Sequence, residues 1–272
     1  MEKNSVLANA LANIRVVIPE HRYPEQLTKL LEREGATVIS CPLVRETPLE
    51  ESEGPRRFIE LCETTVVDYV VFFTGVGVDL LFRAINRPDV LSRSKILARG
   101  PKAVAALKRA GVQIDMVADQ PTSEGILQTL ARHDLQGKSV LIQLYGEENP
   151  EICSALEAMG ARVTAISLYR YSFASDHAAV DQLLKNVLAG DVDAICFTSA
   201  HQIRFLMDAA VADGRDGALR NRLRDGVVIV AIGEVTARAL EAAGLNAQVI
   251  PQDPRMGPMV RALAEFFDQR RT

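Results

Sequence analysis

Five short segments combine small residues with hydrogen-bonding side chains: Thr74-Gly75-Val76-Gly77, Arg99-Gly100-Pro101-Lys102, Tyr145-Gly146, Thr198-Ser199-Ala200 and Gly233-Glu234-Val235-Thr236. Each follows an apolar run that reads as a strand and leads toward a stretch that reads as a helix. The chemistry such turns offer is anion binding. The first N–H groups of a helix have no partner within it and carry partial positive charge. Small residues let a carboxylate approach that backbone, and hydroxyls add donors. Arg99 and Lys102 flank Gly100 and can pair with carboxylates. Each turn also has a plainer reading. Thr74 and Thr198 can act only as helix N-caps, worth ~1 kcal/mol each, and the two cations can be solvated charge at a turn. Five such turns in one chain favour a lining for a large, multiply anionic ligand.

Two tyrosines sit near these turns. Tyr169 lies near the end of a long predicted strand, with Tyr171 two residues on and on the same face. Tyr145 precedes Gly146 at a strand end. Either phenol can face a ligand as a donor or simply cover apolar surface. Other chemistry finds no support. There is no GxxxxGK[ST] phosphate loop, and the third glycine of a GxGxxG run beginning at Gly75 would fall on Leu80. No GxSxG elbow occurs. The four histidines are isolated in sequence, and Cys41, Cys62, Cys153 and Cys196 have no CxxC spacing. No metal or cofactor is expected.

The turns must be positioned by the elements around them. Strand-like runs at 15–19, 37–41, 69–73, 95–98, 113–117, 139–144, 162–171, 194–197, 227–231 and 248–250 alternate with helix-like stretches. That alternation predicts an α/β chain with parallel sheets covered on both faces. In such sheets the strand-to-helix turns all lie at the carboxyl ends of the strands, where α/β proteins bind ligands. The chain also repeats itself. Residues 31–38 match 156–163 at an offset of 125, 70–75 match 194–199 at 124, and the block containing Gly100 and Gly111 matches that containing Gly233 and Gly244 at 133. Three matched blocks in the same order predict two similar lobes with a ligand cleft between them.

Composition agrees with a soluble chain of this class. Of 272 residues, 48% are apolar and 24% charged, and the net charge of −4 speaks against nucleic acid or an anionic membrane surface as partner. The stretch before Arg15 has only a thin Val6-Leu7-Ala8 and reads as no signal segment, and no run approaches the ~20 apolar residues of a membrane span. A cytoplasmic monomer with free thiols is expected.

These residues resemble the uroporphyrinogen-III synthase family over nearly the whole chain from Arg15 onward. The most specific piece is Ala231-Ile232-Gly233-x-x-Thr236-Ala237-x-Ala239-Leu240-x-x-x-Gly244-Leu245. Phe197-Thr198-Ser199 and Ser167-Leu168-Tyr169-Arg170-Tyr171 also fit, and Thr74-Gly75-Val76-Gly77-Val78 and Leu97-Ala98-Arg99-Gly100 look like a bacterial branch of the family. The resemblance implies a discontinuous lobe of residues 1–41 and 175–272, and an inserted lobe of residues 51–165. Linkers 42–50 and 166–174 would pair as a two-stranded ladder. The Pro- and Glu-rich composition of residues 42–55, with Glu50, Glu51 and Glu53, suits a linker.

The implied reaction is cyclisation of the linear tetrapyrrole hydroxymethylbilane to uroporphyrinogen III, with loss of water and inversion of ring D. The resemblance implies no cofactor, and the substrate is an octacarboxylate, which suits anion-binding turns in both lobes. Tyr169 matches the family tyrosine proposed to protonate the departing hydroxyl. Thr236 matches a family threonine, whereas Val235 replaces a hydroxyl some members carry, and the position equivalent to Thr236 in the first lobe is Ala103. The competing readings are a two-lobed binding protein for a small anion or sugar, and a regulatory domain without catalysis.

Overall fold

Runs of Val, Ile, Leu and Phe form strands too apolar to leave either face in water, and helices cover them. In this computed structural model residues 9–50, 54–174 and 177–271 are described. Val6, Leu7 and Ala8, with Glu51 and Glu53, lie outside the described residues. The chain opens with β1 (Arg15–Ile18), α1 (Pro24–Arg33), β2 (Thr37–Ser40) and β3 (Val44–Pro48). Next come α2 (Pro55–Thr64), β4 (Tyr69–Phe72), α3 (Gly75–Ala84), β5 (Lys95–Ala98), α4 (Pro101–Arg109) and β6 (Met116–Val117). They are followed by α5 (Ser123–Leu130), β7 (Ser139–Gln143), α6 (Pro150–Ala158), β8 (Arg162–Ile166) and β9 (Tyr169–Phe173). The chain closes with α7 (His177–Ala189), β10 (Ala194–Phe197), α8 (Ala200–Ala212), α9 (Asp216–Asp225), β11 (Val228–Ala231), α10 (Glu234–Ala242) and α11 (Met256–Gln269).

Two units result. The inserted unit runs from Glu46 to Tyr171, and the split unit takes the described residues up to Arg45 and from Ser172 onward. Each unit is built on a parallel sheet, as the alternation predicts. The split unit orders its strands β11-β10-β1-β2, and the inserted unit β6-β5-β4-β7-β8. β3 and β9 form a separate two-stranded sheet where the chain passes from one unit to the other. Strands β4, β10 and β11 are buried along their whole length, as strands covered on both faces must be. In the inserted unit Val70 and Phe72 pack into one core with Phe58, Val78 and Leu107, while Tyr69, Val71 and Phe73 pack into the other with Ile126, Leu130 and Ile152. No helix of the described residues is long and apolar enough to cross a membrane.

Three predicted strands are shorter than the apolar pattern suggests, each for a visible reason. The run 162–171 breaks after Ile166: Leu168 turns into the core and is fully buried, and its carbonyl accepts from the Leu49 N–H at 3.1 Å. The run 113–117 keeps only Met116 and Val117 in the ladder, because the Asp115 carboxylate accepts the Ile96 N–H at 2.7 Å. The run 248–250 is reduced to one bridge at Val249, because the Gln248 amide oxygen accepts the Ile229 N–H at 2.7 Å. Asp115 and Gln248 stand 133 positions apart, the offset of the repeated glycine block, so one side-chain substitute for a ladder bond occurs in both units.

A second duplicated contact ties the amino ends of the strands. Asp193, just before β10, accepts the Arg15 N–H at 2.8 Å through its carboxylate. Its own N–H donates to the Arg15 carbonyl at 3.0 Å, and its carbonyl accepts from Val228 at 2.9 Å. Asp68, just before β4 and 125 positions earlier, repeats this with the Ser139 N–H at 2.8 Å, the Ser139 carbonyl at 3.0 Å and the Lys95 N–H at 2.9 Å. Each aspartate joins three neighbouring strands. Cations reinforce both: Arg15 Nε lies 3.0 Å from Asp193, and Lys138 Nζ 3.1 Å from Asp68.

The Asp193 carboxyl is held below its usual range, first by the Arg15 side chain, then by the Arg15 N–H and the Arg15 charge, against the opposing effect of burial. A depressed carboxyl stabilises the fold above the unfolded value of ~3.9, and that contribution is lost as pH falls through the folded value. Asp193→Asn should therefore lower the melting temperature at pH 7. The gap from the unsubstituted protein should close as the pH drops below ~4. Melting curves across pH 3–7 check this, and a gap independent of pH would remove the charge from the explanation.

Candidate functional site: two carboxyl-end rims

In the inserted unit β5, β4 and β7 are adjacent and parallel, so their carboxyl-end turns are neighbours. The turn after β4 is built around Thr74. Its side chain caps α3 by accepting the Gly77 N–H at 3.0 Å, and its N–H donates to Gln143 Oε1 at 3.3 Å. Thr74 Oγ1 also accepts from the Tyr169 hydroxyl at 3.3 Å. Tyr169 itself is fully buried and meets the Tyr171 ring edge-on at 5.6 Å. Arg99, at the end of β5, lays its guanidinium over Phe73 at 5.1 Å and over Tyr145 at 5.7 Å. The Tyr145 hydroxyl accepts from Asn149 at 3.4 Å. Burial pushes the Tyr145 phenol above its ordinary pKa, aided by the charge of Glu147 and opposed by that of Arg99. Thr74, Gly75, Gly77, Arg99, Gly100, Lys102, Tyr145, Gly146 and Tyr169 are thus all brought to one rim. Lys102 is exposed there.

In the split unit the corresponding turns follow β10 and β11. Thr198 does not cap α8, because Ser199 holds that position. The Thr198 hydroxyl instead donates to Glu20, a residue only 6% exposed. The same carboxylate accepts the N–H groups of Arg22 at 2.6 Å and Tyr23 at 3.2 Å. Gln202 completes the turn: its Oε1 accepts the Thr198 N–H at 2.8 Å and the Ser199 N–H at 3.3 Å, and its Nε2 donates to Thr198 Oγ1 at 2.8 Å. Ala200 begins α8, and Gly233 stands immediately before α10 with Thr236 buried in its first turn. Thr198, Ser199, Ala200, Gly233 and Thr236 therefore share the carboxyl-end rim of this sheet.

Three residues of these rims carry no functional signal that was drawn from the sequence: Gln143, Gln202 and Glu20. Gln202 had a usable one, since Ser199-Ala200-His201-Gln202 fits the capping-box spacing. Gln143 is fully buried at the end of an apolar strand, and only its partners reveal its role.

The turn glycines face the protein's own atoms. A Cβ on Gly75 would stand 2.6 Å from the Lys102 carbonyl oxygen, and one on Gly77 would overlap the Gln143 amide. A Cβ on Gly100 would lie 2.9 Å from Pro121, and one on Gly233 3.0 Å from Pro254, again 133 positions apart. Gly146, at φ +86°, needs glycine twice over, because a Cβ would also come within 2.6 Å of the Tyr169 ring. The sequence alone suggests ligand approach as the reason for this smallness. The packing gives it an internal cause, which is close seating of each turn on its neighbour.

An open depression of about 360 Å³ lies beside Tyr145, lined also by Ser123, Asn149 and the acids Glu124, Glu148 and Glu151. Its charge does not suit a carboxylate. A larger one of about 420 Å³ opens at the other end of the same sheet, near Thr65, Val67, Ser139 and Arg162, away from the turns. Burial pushes the thiols of Cys62 and Cys196 up to about 12, so neither is a nucleophile near neutral pH. Among the described residues no three His, Cys, Asp or Glu side chains are grouped to hold a metal ion.

A family model described as uroporphyrinogen-III synthase HemD matches residues 25–261. The chain belongs to this family. A mutant uroporphyrinogen III synthase from the extremely thermophilic bacterium Thermus thermophilus is similar in structure, with a TM-score of 0.76 and 29% identity over 95% of this chain and 100% of that one. The Bacillus subtilis protein YjjA, described as uncharacterized, is 29% identical over 97% of this chain and 100% of its own length. A putative uroporphyrinogen-III synthase from Methanothermobacter thermautotrophicus is 29% identical over 92% of this chain and 96% of its own. In this member of the uroporphyrinogen-III synthase family, the rim of the inserted unit rests on the close approach of α3 to α4. Gly75→Ala should force those two helix starts apart and cost about 1–3 kcal/mol. Denaturant unfolding measures this, and an unchanged midpoint would mean that the Lys102 backbone gives way freely.

Proposed function

We propose that the protein is a uroporphyrinogen-III synthase: it cyclises hydroxymethylbilane to uroporphyrinogen III with loss of water and inversion of ring D. The observation that carries the reading is the meeting of Tyr169 and Thr74 at the carboxyl-end rim, hydroxyl to hydroxyl at 3.3 Å, in a chain of this family.

The electron pair of the terminal pyrrole nitrogen expels the hydroxyl of the hydroxymethyl group. Tyr169 donates the proton that lets it leave as water, and an electrophilic azafulvene remains. The substituted carbon of ring D bonds to the methylene carbon, giving a spiro intermediate. The bond from ring D to its old bridge breaks and re-forms at the other α-carbon, and loss of a proton restores the pyrrole. Ring closure without this control gives the non-inverted type I isomer. The task of the protein is therefore to hold one folding of the chain while limiting water. The substrate carboxylates are taken up by the helix starts after Gly100 and Gly233, by the turns at Thr74, Gly75 and Gly77, by Lys102, by the segment Tyr145-Gly146, by Ser199 and Ala200 after Thr198, and by Thr236.

Incubation with hydroxymethylbilane, followed by chromatographic separation of the oxidised isomers, should give the type III product. Formation of type I alone overturns the reading and leaves an anion-binding or regulatory domain. A phenol is a weak acid, so Tyr169→Phe should lower kcat by roughly tenfold without abolishing it. Its melting temperature should hold nearly steady, because the ring stays and only one long hydrogen bond is lost. Unchanged kcat would remove Tyr169 from the mechanism.

A further inference from the structure

The repeated glycine block is not chemically equal in its two copies. In the split unit the residue before Gly233 is Ile232, packed against the apolar core with Val230 and Val249. In the inserted unit the equivalent position is Arg99. Its N–H makes the expected backbone bond, to the Phe72 carbonyl at 2.9 Å, so the turn itself does not require a cation. The side chain is half-buried. Its guanidinium rests on Phe73 and Tyr145, whose rings lie 5.6 Å apart with an interplanar angle of 31°. Burial lowers its pKa from the ordinary arginine value, and the groups that oppose this are the phenols of Tyr169, Tyr145 and Tyr171.

Other arginines of the fold meet acceptors: Arg15 pairs with Asp193, Arg87 with Glu63, Arg109 with Asp79 and Arg215 with Asp181, while Arg220, Arg222 and Arg224 donate to backbone carbonyls. Among the described residues no carboxylate pairs with Arg99. A guanidinium drawn out of water without an anion is costly, and proteins ordinarily place one beside it. Cation–π contact with two rings holds the guanidinium in place without using its N–H donors, and that fork suits a bidentate carboxylate.

We infer that Arg99, seated on Phe73 and Tyr145, is a carboxylate-binding residue of the inserted unit, and that its anion comes from the ligand. Ala103 stands where the split unit has Thr236, so this rim lacks the buried hydroxyl of its counterpart and uses a cation in its place. Taking that ligand as a tetrapyrrole rests on the function proposed above; the anion site itself does not.

The test compares the unsubstituted protein with Arg99→Ile, which installs the residue of the other copy, and Arg99→Lys, which keeps the charge without the fork. With hydroxymethylbilane, Arg99→Ile should raise KM by about tenfold or more while kcat changes little, and Arg99→Lys should recover part of the loss. Binding of uroporphyrin III, an octacarboxylate probe followed by fluorescence quenching, should weaken by a similar factor in Arg99→Ile, and less in Arg99→Lys. Melting temperatures of both variants separate loss of binding from loss of fold. Type III product from every variant with unchanged KM and uroporphyrin affinity overturns the inference and leaves the proposed function standing. Lack of type III product from the unsubstituted protein, with uroporphyrin affinity still dependent on Arg99, overturns the function and leaves the anion site.

Discussion

One carboxylate at the amino end of the central strand sets the register on which each unit depends. Asp193 and Asp68 each accept a neighbouring strand's first N–H while donating to that strand and accepting from the strand on the other side. Parallel strands have no hairpin to fix their alignment, so something else must do so. With these amino ends pinned, the carboxyl ends of β1, β10 and β11, or of β7, β4 and β5, come level. The turns then form a rim and are not scattered at different heights. The aspartates are far from any proposed chemistry, yet they align the strands whose turns make up the rims.

At the rims the two units solve one problem with different parts. The threonine in the turn after the central strand must have its N–H satisfied before a helix can start, and a buried glutamine side chain supplies the acceptor in both. In the inserted unit it is Gln143, from the neighbouring strand. In the split unit it is Gln202, from the first turn of the helix itself. The choice has consequences. Gln143 needs room, and Gly77 provides it. Gln202 needs no such room, and the hydroxyl of Thr198 is drawn instead to Glu20. The Thr74 oxygen thus serves its helix cap and Tyr169, whereas the Thr198 hydroxyl donates to a buried acid.

The α/β class and its parallel sheets were legible in the sequence because strand and helix periods alternate cleanly, and the two-fold organisation because three blocks repeat in order. The strand ends were less legible. The strand-like pattern continues past Ile166 and begins at 113, but the chain leaves the ladder where a side chain or a core position competes for it. Asp115 and Gln248 read as ordinary strand residues until their partners are seen. The rim was legible as a set of turns, since small residues and hydroxyls cluster there. Its internal bonding was not, because Glu20, Gln143 and Gln202 act through contacts distant in sequence or through burial, which no local pattern records. The glycines stand out in the sequence for a property that has another physical cause here.

That cause bears on how such a rim can bind anions. A loop whose glycines open onto solvent must be ordered when a ligand arrives, and ordering costs binding free energy. Here Gly75 is pressed on Lys102, Gly100 on Pro121, Gly233 on Pro254 and Gly146 on Tyr169. The helix starts are therefore already oriented, and under the proposed function the N–H groups not taken by Thr74, Gln143 or Gln202 would meet a carboxylate without rearrangement. A reaction whose difficulty is the choice between two ring closures gains most from such fixed donors, because a donor that moves would accept either folding of the substrate. The absence of slack around the turns therefore matters more than any one hydroxyl on them.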